Sequence, residues 1–203
     1  MIILIAIAQV FFHKAVHVVN QQAFSREWKC AFLLVMTLAF GHPNLSQADS
    51  PGEYQVKAAF LYHFTQFIEW PQSHFTPDDG PLQLCVVEPD PFGSILDTML
   101  NGKSVGAHGF LIKHNPSTSE LGHCHVLFLP KAHGSLKATL RASFAHTNVL
   151  TVGEDESFLE EGGMIQFFFE NQKIRFAINS EAVKLTQLKV SAKLLRLAKI
   201  VNP

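Results

Sequence analysis

The chain has 203 residues, of which 47% are hydrophobic, with 16 basic and 17 acidic side chains and a formal net charge of -1 at pH 7. This length is typical of one domain with short appendages. The near-neutral balance excludes the strongly basic surface on which binding to nucleic acid depends. We therefore expect one small domain that does not bind nucleic acid.

The first 48 residues have the features of a secretory signal. Arg26 and Lys29 form a positive region, Cys30–Phe40 is an apolar run, and residues 46–48 (Ser-Gln-Ala) have the small-residue pattern that signal peptidase accepts. The sequence predicts cleavage after position 48 and export to the periplasm, with an uncleaved anchor helix as the alternative. A second apolar run, Met1–Val10, lies upstream of this signal. The sequence therefore also suggests that the start is over-extended, that is, that translation begins downstream of Met1.

The predicted exported part, residues 49–203, keeps 13 basic and 16 acidic side chains, which gives a net charge of -3. It is long enough to form one hydrophobic core. Two cysteines remain in it, Cys85 and Cys124. An even number of cysteines in an exported chain indicates a disulfide, and two unpaired buried thiols are the alternative.

Apolar spacing predicts alternating helices and strands in residues 49–152. A helix over Glu53–Trp70 is expected to end at Pro71, where the helix pattern stops. Short apolar runs bounded by turn residues predict buried strands, and amphipathic segments between them predict helices. The strands are Leu82–Val87, Gly109–Lys113, His123–Leu129 and Val149–Val152, and the helices are Pro91–Leu100 and Ser135–Phe144.

The end of the chain has a different pattern. Residues 164–178 predict an antiparallel hairpin that turns at Glu170–Gln172, and Ser180–Val201 predicts a final helical region. The complete order indicates an α/β fold: a single-domain sandwich with a mixed, largely parallel sheet flanked by helices, and a C-terminal antiparallel hairpin plus helix.

Motifs for catalysis or metal binding are weak in this sequence. His123-Cys124-His125 suggests a metal hypothesis, because alternation along a strand places both histidines on one face. Two imidazoles alone make a poor site, and no further ligand motif accompanies them. The sequence also lacks a nucleophile elbow, a zinc-protease helix and a phosphate-binding loop. We therefore predict no metal, no cofactor, no catalytic residues and no enzyme activity.

Two apolar segments are candidates for contact with another molecule. The first predicted helix carries aromatic residues almost all around, so that its own sheet can cover only one side. Packing against the hairpin or the final helix is the alternative explanation. The C-terminal segment combines apolar stripes with lysine and arginine, which suits a partner protein or a membrane surface as well as ordinary packing. The candidate contact residues are Phe60, Phe64, Phe67, Trp70, Leu194 and Leu197.

Five blocks, taken in order, resemble the YfiR-like family over about residues 53–201. They are VKAAFLYHFTQFIEWP, LCVVEPDPFG, CHVLFLP, VLTVGEDESFLEEGGMIQFFFENQKIRFAIN and LKVSAKLLRLAKIV. The resemblance implies a small periplasmic domain. The best-described member of that family represses an inner-membrane diguanylate cyclase through its periplasmic sensor domain, and is sequestered by a peptidoglycan-associated lipoprotein.

The resemblance also implies specific cysteine roles. Cys85 and Cys124 correspond to one disulfide of the family. A second disulfide found in some members would fall near residues 152–163, where this chain has no cysteine. Redox sensing through a second bridge is therefore not expected.

The leading interpretation is a periplasmic regulatory binding protein that restrains a membrane-bound signalling enzyme. The expected partner is the periplasmic sensor domain of a diguanylate cyclase or a kinase. A peptidoglycan-associated lipoprotein and a second copy of the chain are further expected partners. The alternative is a periplasmic small-molecule sensor in which Phe60, Phe64, Phe67 and Trp70 line an apolar pocket.

Overall fold

A computed structural model describes residues 51–78, 80–131, 144 and 146–203. The predicted signal sequence and, apart from Phe144, the predicted helix Ser135–Phe144 fall outside these residues. The described helices are α1 (Pro51–Phe67), α2 (Ile95–Leu100), α3 (Ser180–Lys184) and α4 (Ala192–Leu197). Short 3-10 helices occupy Gln72–His74 and Leu121–His123.

The described strands form one large sheet and one small sheet. They are β1 (Ile68–Glu69), β2 (Leu82–Val86), β3 (Ser104–Val105), β4 (His108–His114), β5 (Val126–Leu129), β6 (Leu150–Gly153), β7 (Ile165–Glu170), β8 (Lys173–Asn179), β9 (Lys189–Val190) and β10 (Lys199–Val201). In the described part of the chain, the large sheet has the order β10-β8-β7-β6-β5-β2-β4-β3, and β1 pairs with β9. The pairs β7–β8 and β3–β4 are antiparallel and the other neighbours in the large sheet are parallel, so the predicted α/β class is confirmed.

The central parallel strands are buried on both faces. Successive side chains point to opposite faces of a strand, and β2 contributes buried apolar side chains to both faces. Leu84 packs with α1 residues such as Leu61, whereas Cys85 belongs to a second apolar cluster that also contains Leu127. This double burial explains the nearly continuous apolar runs of the parallel strands.

The predicted hairpin is confirmed. Phe167 lies opposite Phe176 and Glu170 lies opposite Lys173, so that Asn171 and Gln172 form a two-residue turn. Both turn residues have positive φ, 49° and 60°, as a type I′ turn requires.

The predicted helical region Ser180–Val201 is helical in part, at α3 and α4. It contains two short helices and two short strands, because parts of its backbone find partners in other segments. Val190 pairs with Ile68, and the Ser191 amide donates to the Phe67 carbonyl at 2.9 Å. The same pairing ends α1 at Phe67, three residues earlier than the sequence predicts. The Ser191 side chain then caps α4.

The loop after β6 is held by an aromatic ring packed over two glycines. A Cβ atom added at Gly153 or at Gly163 would overlap the Phe158 ring, so both positions require glycine. Phe158 itself is buried. This packing fixes the segment between β6 and β7.

Candidate functional site

The aromatic face of α1 packs mainly inside the domain. Phe64 is fully buried, and its ring centroid lies 5.0 Å from that of Phe176 and 5.7 Å from that of Phe167. Phe60 is half-buried against the same two hairpin rings, at 5.6 and 5.9 Å. These contacts fill the space that an aromatic ligand pocket on α1 would need.

The other predicted contact residues lie in different environments. Phe67 and Trp70 are half-buried, and the Trp70 indole donates to the His125 carbonyl at 3.1 Å. Leu194 is 2% exposed and belongs to the core, whereas Leu197 is 69% exposed. Phe64 and Leu194 are therefore covered by other parts of the domain, whereas Leu197 reaches solvent.

Exposed apolar and basic side chains occur together at the end of the chain. We call this group the C-terminal patch. All of its members are exposed. They are Lys193, Arg196, Leu197, Lys199 and Ile200.

Cys85 and Cys124 form a disulfide between β2 and the residue two positions before β5. The Cα atoms of Cys85 and Cys124 are 5.9 Å apart, within the usual range for a disulfide, and both residues are fully buried. The predicted pairing is therefore confirmed, and Cys124 has no thiolate with which to bind a metal.

The two histidines beside Cys124 have separate environments. His123 is exposed at the end of a 3-10 helix, whereas His125 is buried beneath Trp70 and Phe75. The His125 Nδ1 accepts a hydrogen bond from the Gln83 amide at 3.1 Å. Since the chain leaves the strand conformation before β5, the two imidazoles do not share a face as the strand pattern predicted.

His125 belongs to a cluster of imidazole and aromatic rings at the edge where β2 and β5 begin. The His74 ring centroid lies 4.7 Å from that of His125, and the Phe75 ring stacks on His108 at 3.7 Å. His74 and His108 donate to the carbonyl oxygens of Cys124 and Gly80. Burial, and then the neighbouring His74 and His108, lower the pKa of His125 to about 3.

A second histidine site lies at the opposite edge, where β2 and β4 end. His114 Nδ1 is 2.5 Å from Asp90 Oδ2, and His114 Nε2 is 3.0 Å from Asp97 Oδ2. The hydrogen bond to Asp90 is the main cause that raises the pKa of His114 above its ordinary value, and the bond to Asp97 adds to it. Sequence reasoning missed this site; its one signal is that Asp90 follows the carboxyl end of β2 and His114 ends the neighbouring parallel strand β4.

A buried ion cluster joins the start of α1 to the loop after β6. Lys57 is 4% exposed, and its ammonium group contacts the carboxylates of Glu53 and of Glu154, the latter at 2.5 Å. Burial raises the pKa of Glu154. The cluster holds the first turns of α1 against the loop, and the sequence analysis did not identify it.

In the part of the chain that the structure describes, the two histidine sites and the ion cluster are separate from one another. Within the described residues, no group of three His, Cys, Asp or Glu side chains is arranged to hold a metal ion. A cavity of about 410 Å³ is lined by residues such as Leu129, Phe158 and Met164, and not by the aromatic residues of α1. Among the same described residues, none of the helices has the length and apolar character needed to cross a membrane.

These observations define an α/β domain that is cross-linked by one disulfide. Its C-terminal patch combines basic and apolar side chains. The sequence pattern of the YfiR/HmsC-like family matches residues 54–199. The match covers most of the chain, and the protein belongs to this family.

Proposed function

We propose that this protein is a periplasmic regulatory binding protein that restrains a membrane-bound signalling enzyme. The proposed target is the periplasmic sensor domain of a diguanylate cyclase. Membership of the YfiR/HmsC-like family over residues 54–199 is the observation that carries the proposal.

The proposal requires contact with another protein and no chemistry on a substrate. His114 is held by two carboxylates, His125 is buried, and both cysteines of the exported part are bonded to each other. In the described residues these groups lie at different edges of the sheet and do not converge on one cleft. This arrangement supports a regulatory role over a catalytic one.

The contact surface proposed for this role is the C-terminal patch together with the half-buried rings Phe60, Phe67 and Trp70. Leu197 is the most exposed apolar side chain of the patch. Exposed apolar groups surrounded by polar ones are typical of protein interfaces. The buried Phe64 and Leu194 would support this surface from below without touching the partner.

The test measures cyclic di-GMP in cells that produce a membrane diguanylate cyclase from the same genome, with and without the full-length chain. We expect the chain to lower cyclic di-GMP several-fold and to bind the purified periplasmic domain of that cyclase. The variant Leu197→Asp should weaken both effects.

Leu111→Asp is the matched control, since Leu111 is 40% exposed and lies on β4 at the other side of the sheet. It should restrain the cyclase as well as the unchanged chain does. Unchanged cyclic di-GMP with every membrane cyclase of the genome, together with no binding to their periplasmic domains, would refute the proposal.

A further inference from the structure

The strand at one end of the large sheet leaves a backbone edge open. In the described part of the chain, β10 pairs with β8 on its inner side and no strand pairs with its outer side. The amide and carbonyl groups that face outward from such an edge can form a ladder with an added strand. β3, the strand at the other end of the sheet, has two residues, whereas β10 has three.

Apolar side chains lie along this open edge on the side of α1. Ile200 is in register with Ile178, so the two side chains point to the same face of the sheet. That face is the one on which Phe176, two residues before Ile178, packs against α1. Ile200 is 45% exposed, and Leu197 precedes it at the end of α4.

The charge of this segment is opposite to that of the exported domain. Residues 182–203 contain five basic side chains and no acidic one, although residues 49–203 carry a net charge of -3. Lys193, Arg196 and Lys199 are exposed and form no ion pair with other described residues. A binding segment that matches the edge must therefore be acidic.

We propose that the outer side of β10 receives an extended acidic segment of a partner protein, which adds to the sheet as a further strand. The backbone edge supplies the ladder, Leu197 and Ile200 supply apolar contact, and the basic residues select acidic side chains. The proposal deepens the proposed function and rests on it only for the identity of the partner.

The same observations argue against a second copy of the chain, and against a membrane surface, as the molecule that binds to the outer side of β10. A second copy paired through β10 would bring two segments rich in lysine and arginine together, and like charges on adjacent strands are destabilising. A membrane surface would need a larger apolar area, because α4 has six residues and Leu194 faces the core.

Site-specific photo-cross-linking in the producing cells tests the proposal. A benzophenone amino acid replaces Leu197 or Ile200 in the full-length chain, and replaces Leu111 as the matched control. We expect at least several-fold more cross-linking at positions 197 and 200 than at position 111. Mass spectrometry should place the cross-link in an acidic segment of another protein.

Charge reversal tests the selection of an acidic partner. The double variant Lys193→Glu/Lys199→Glu, made in the chain with the cross-linker at position 200, should lose most of the cross-linked product. Lys103→Glu is the control, because Lys103 is exposed beside β3 at the opposite end of the sheet. Thermal unfolding of each variant shows whether it is folded. If the double variant is unfolded, the single substitution Lys199→Glu takes its place.

Three results would overturn the edge proposal. These are cross-linking no stronger than at position 111, cross-links to a second copy of this chain, and a product that charge reversal leaves unchanged. Flotation of the purified domain with vesicles rich in phosphatidylglycerol, lost on charge reversal, would assign the patch to a membrane surface and overturn it as well.

The outcomes also separate this proposal from the proposed function. A cross-link to an acidic segment of a protein outside signalling would support the edge and contradict the cyclase role. Binding to a cyclase sensor domain that persists in the charge-reversed variant, with no cross-link at position 200, would support the role and overturn the edge.

Discussion

The two ends of the parallel strands, which form opposite edges of the sheet, place histidines in opposite environments. At the edge where β2 and β5 begin, His125 is buried among rings and its pKa is lowered to about 3. At the edge where β2 and β4 end, His114 lies between Asp90 and Asp97 and its pKa is raised. The same residue type is therefore held neutral at one edge and favoured as a cation at the other.

The difference shows how each edge is stabilised. A disulfide and neutral rings hold the first edge, where a charge would lie in an apolar interior. Ion pairs hold the second edge, where His114 and Lys57 each contact two carboxylates. Acid should weaken the first edge and preserve the histidine contacts of the second.

Removal of the disulfide has the largest expected effect on this comparison. The bridge closes a loop with a sequence separation of 39 residues, and Cys85→Ala should lower the free energy of unfolding by about 4 kcal/mol in the chain-entropy description. Urea unfolding of a chain that comprises residues 49–203, without reductant, measures the change. The double variant Cys85→Ala/Cys124→Ala should lose a similar amount, and a loss below about 1 kcal/mol would show that the bridge does not stabilise the first edge.

Removal of the buried cation tests the second edge. Lys57→Met leaves Glu53 and Glu154 without their common partner, and should cost about 3 kcal/mol at pH 7. Part of the loss should be recovered as the pH falls, because the carboxylates can then be protonated. The control Lys103→Met removes an exposed lysine and should change stability by less than about 0.5 kcal/mol. Equal losses for the two variants would contradict the role of the cluster.

The pH dependence of stability tests His125. Below the ordinary value of 6.5 the unfolded chain takes up a proton that the folded His125 does not take up until about pH 3. The free energy of unfolding should therefore fall by about 1.4 kcal/mol for each pH unit within this window, as far as this residue is concerned.

The variant His125→Asn isolates this contribution, because its amide oxygen can still accept the Gln83 amide hydrogen bond. Unfolding at pH 7 and pH 5 should show a shallower pH dependence for His125→Asn than for the unchanged domain. Identical slopes for His125→Asn and the unchanged domain would refute the buried neutral histidine.

The smallest expected effect belongs to His114. Its pKa is raised in the folded state, so its stabilisation is fully present below the ordinary value of 6.5 and is lost as the pH rises through the raised value. Because His114 is exposed to solvent, His114→Asn should cost less than about 1 kcal/mol at pH 6 and less still at pH 9. NMR titration of the imidazole protons should show His114 protonating above the ordinary value of 6.5, and protonation below that value would contradict the ion pairs.

Local patterns in the sequence predicted most of the fold. The apolar runs of β2, β5 and β6 and the turn at Asn171 and Gln172 depend on neighbouring residues, and the sequence predicted each of these elements, although β5 begins at Val126 and not at His123. The C-terminal region was predicted less well. Its amphipathic spacing is compatible with a helix, but pairing of Val190 with Ile68 and of Ile200 with Ile178 depends on segments distant in sequence.

The candidate contact residues show the same limit. The aromatic pattern of the first helix correctly indicated a helix with large apolar area. It could not distinguish Phe64, which the hairpin rings bury, from the half-buried Phe67 or Trp70. Exposure depends on which element covers each side of α1, and that is a property of the packed domain.

The sequence by itself determined the class of the fold, the pairing partners among two cysteines, and a family resemblance over about residues 53–201. These follow from short-range spacing, from residue counts and from the order of blocks. Only the tertiary structure decided which histidine is neutral and which is paired, and which leucine of α4 reaches solvent. Charge state and exposure depend on atoms that are brought within a few ångströms by folding, from positions as distant as Gln83 and His125 or Lys57 and Glu154.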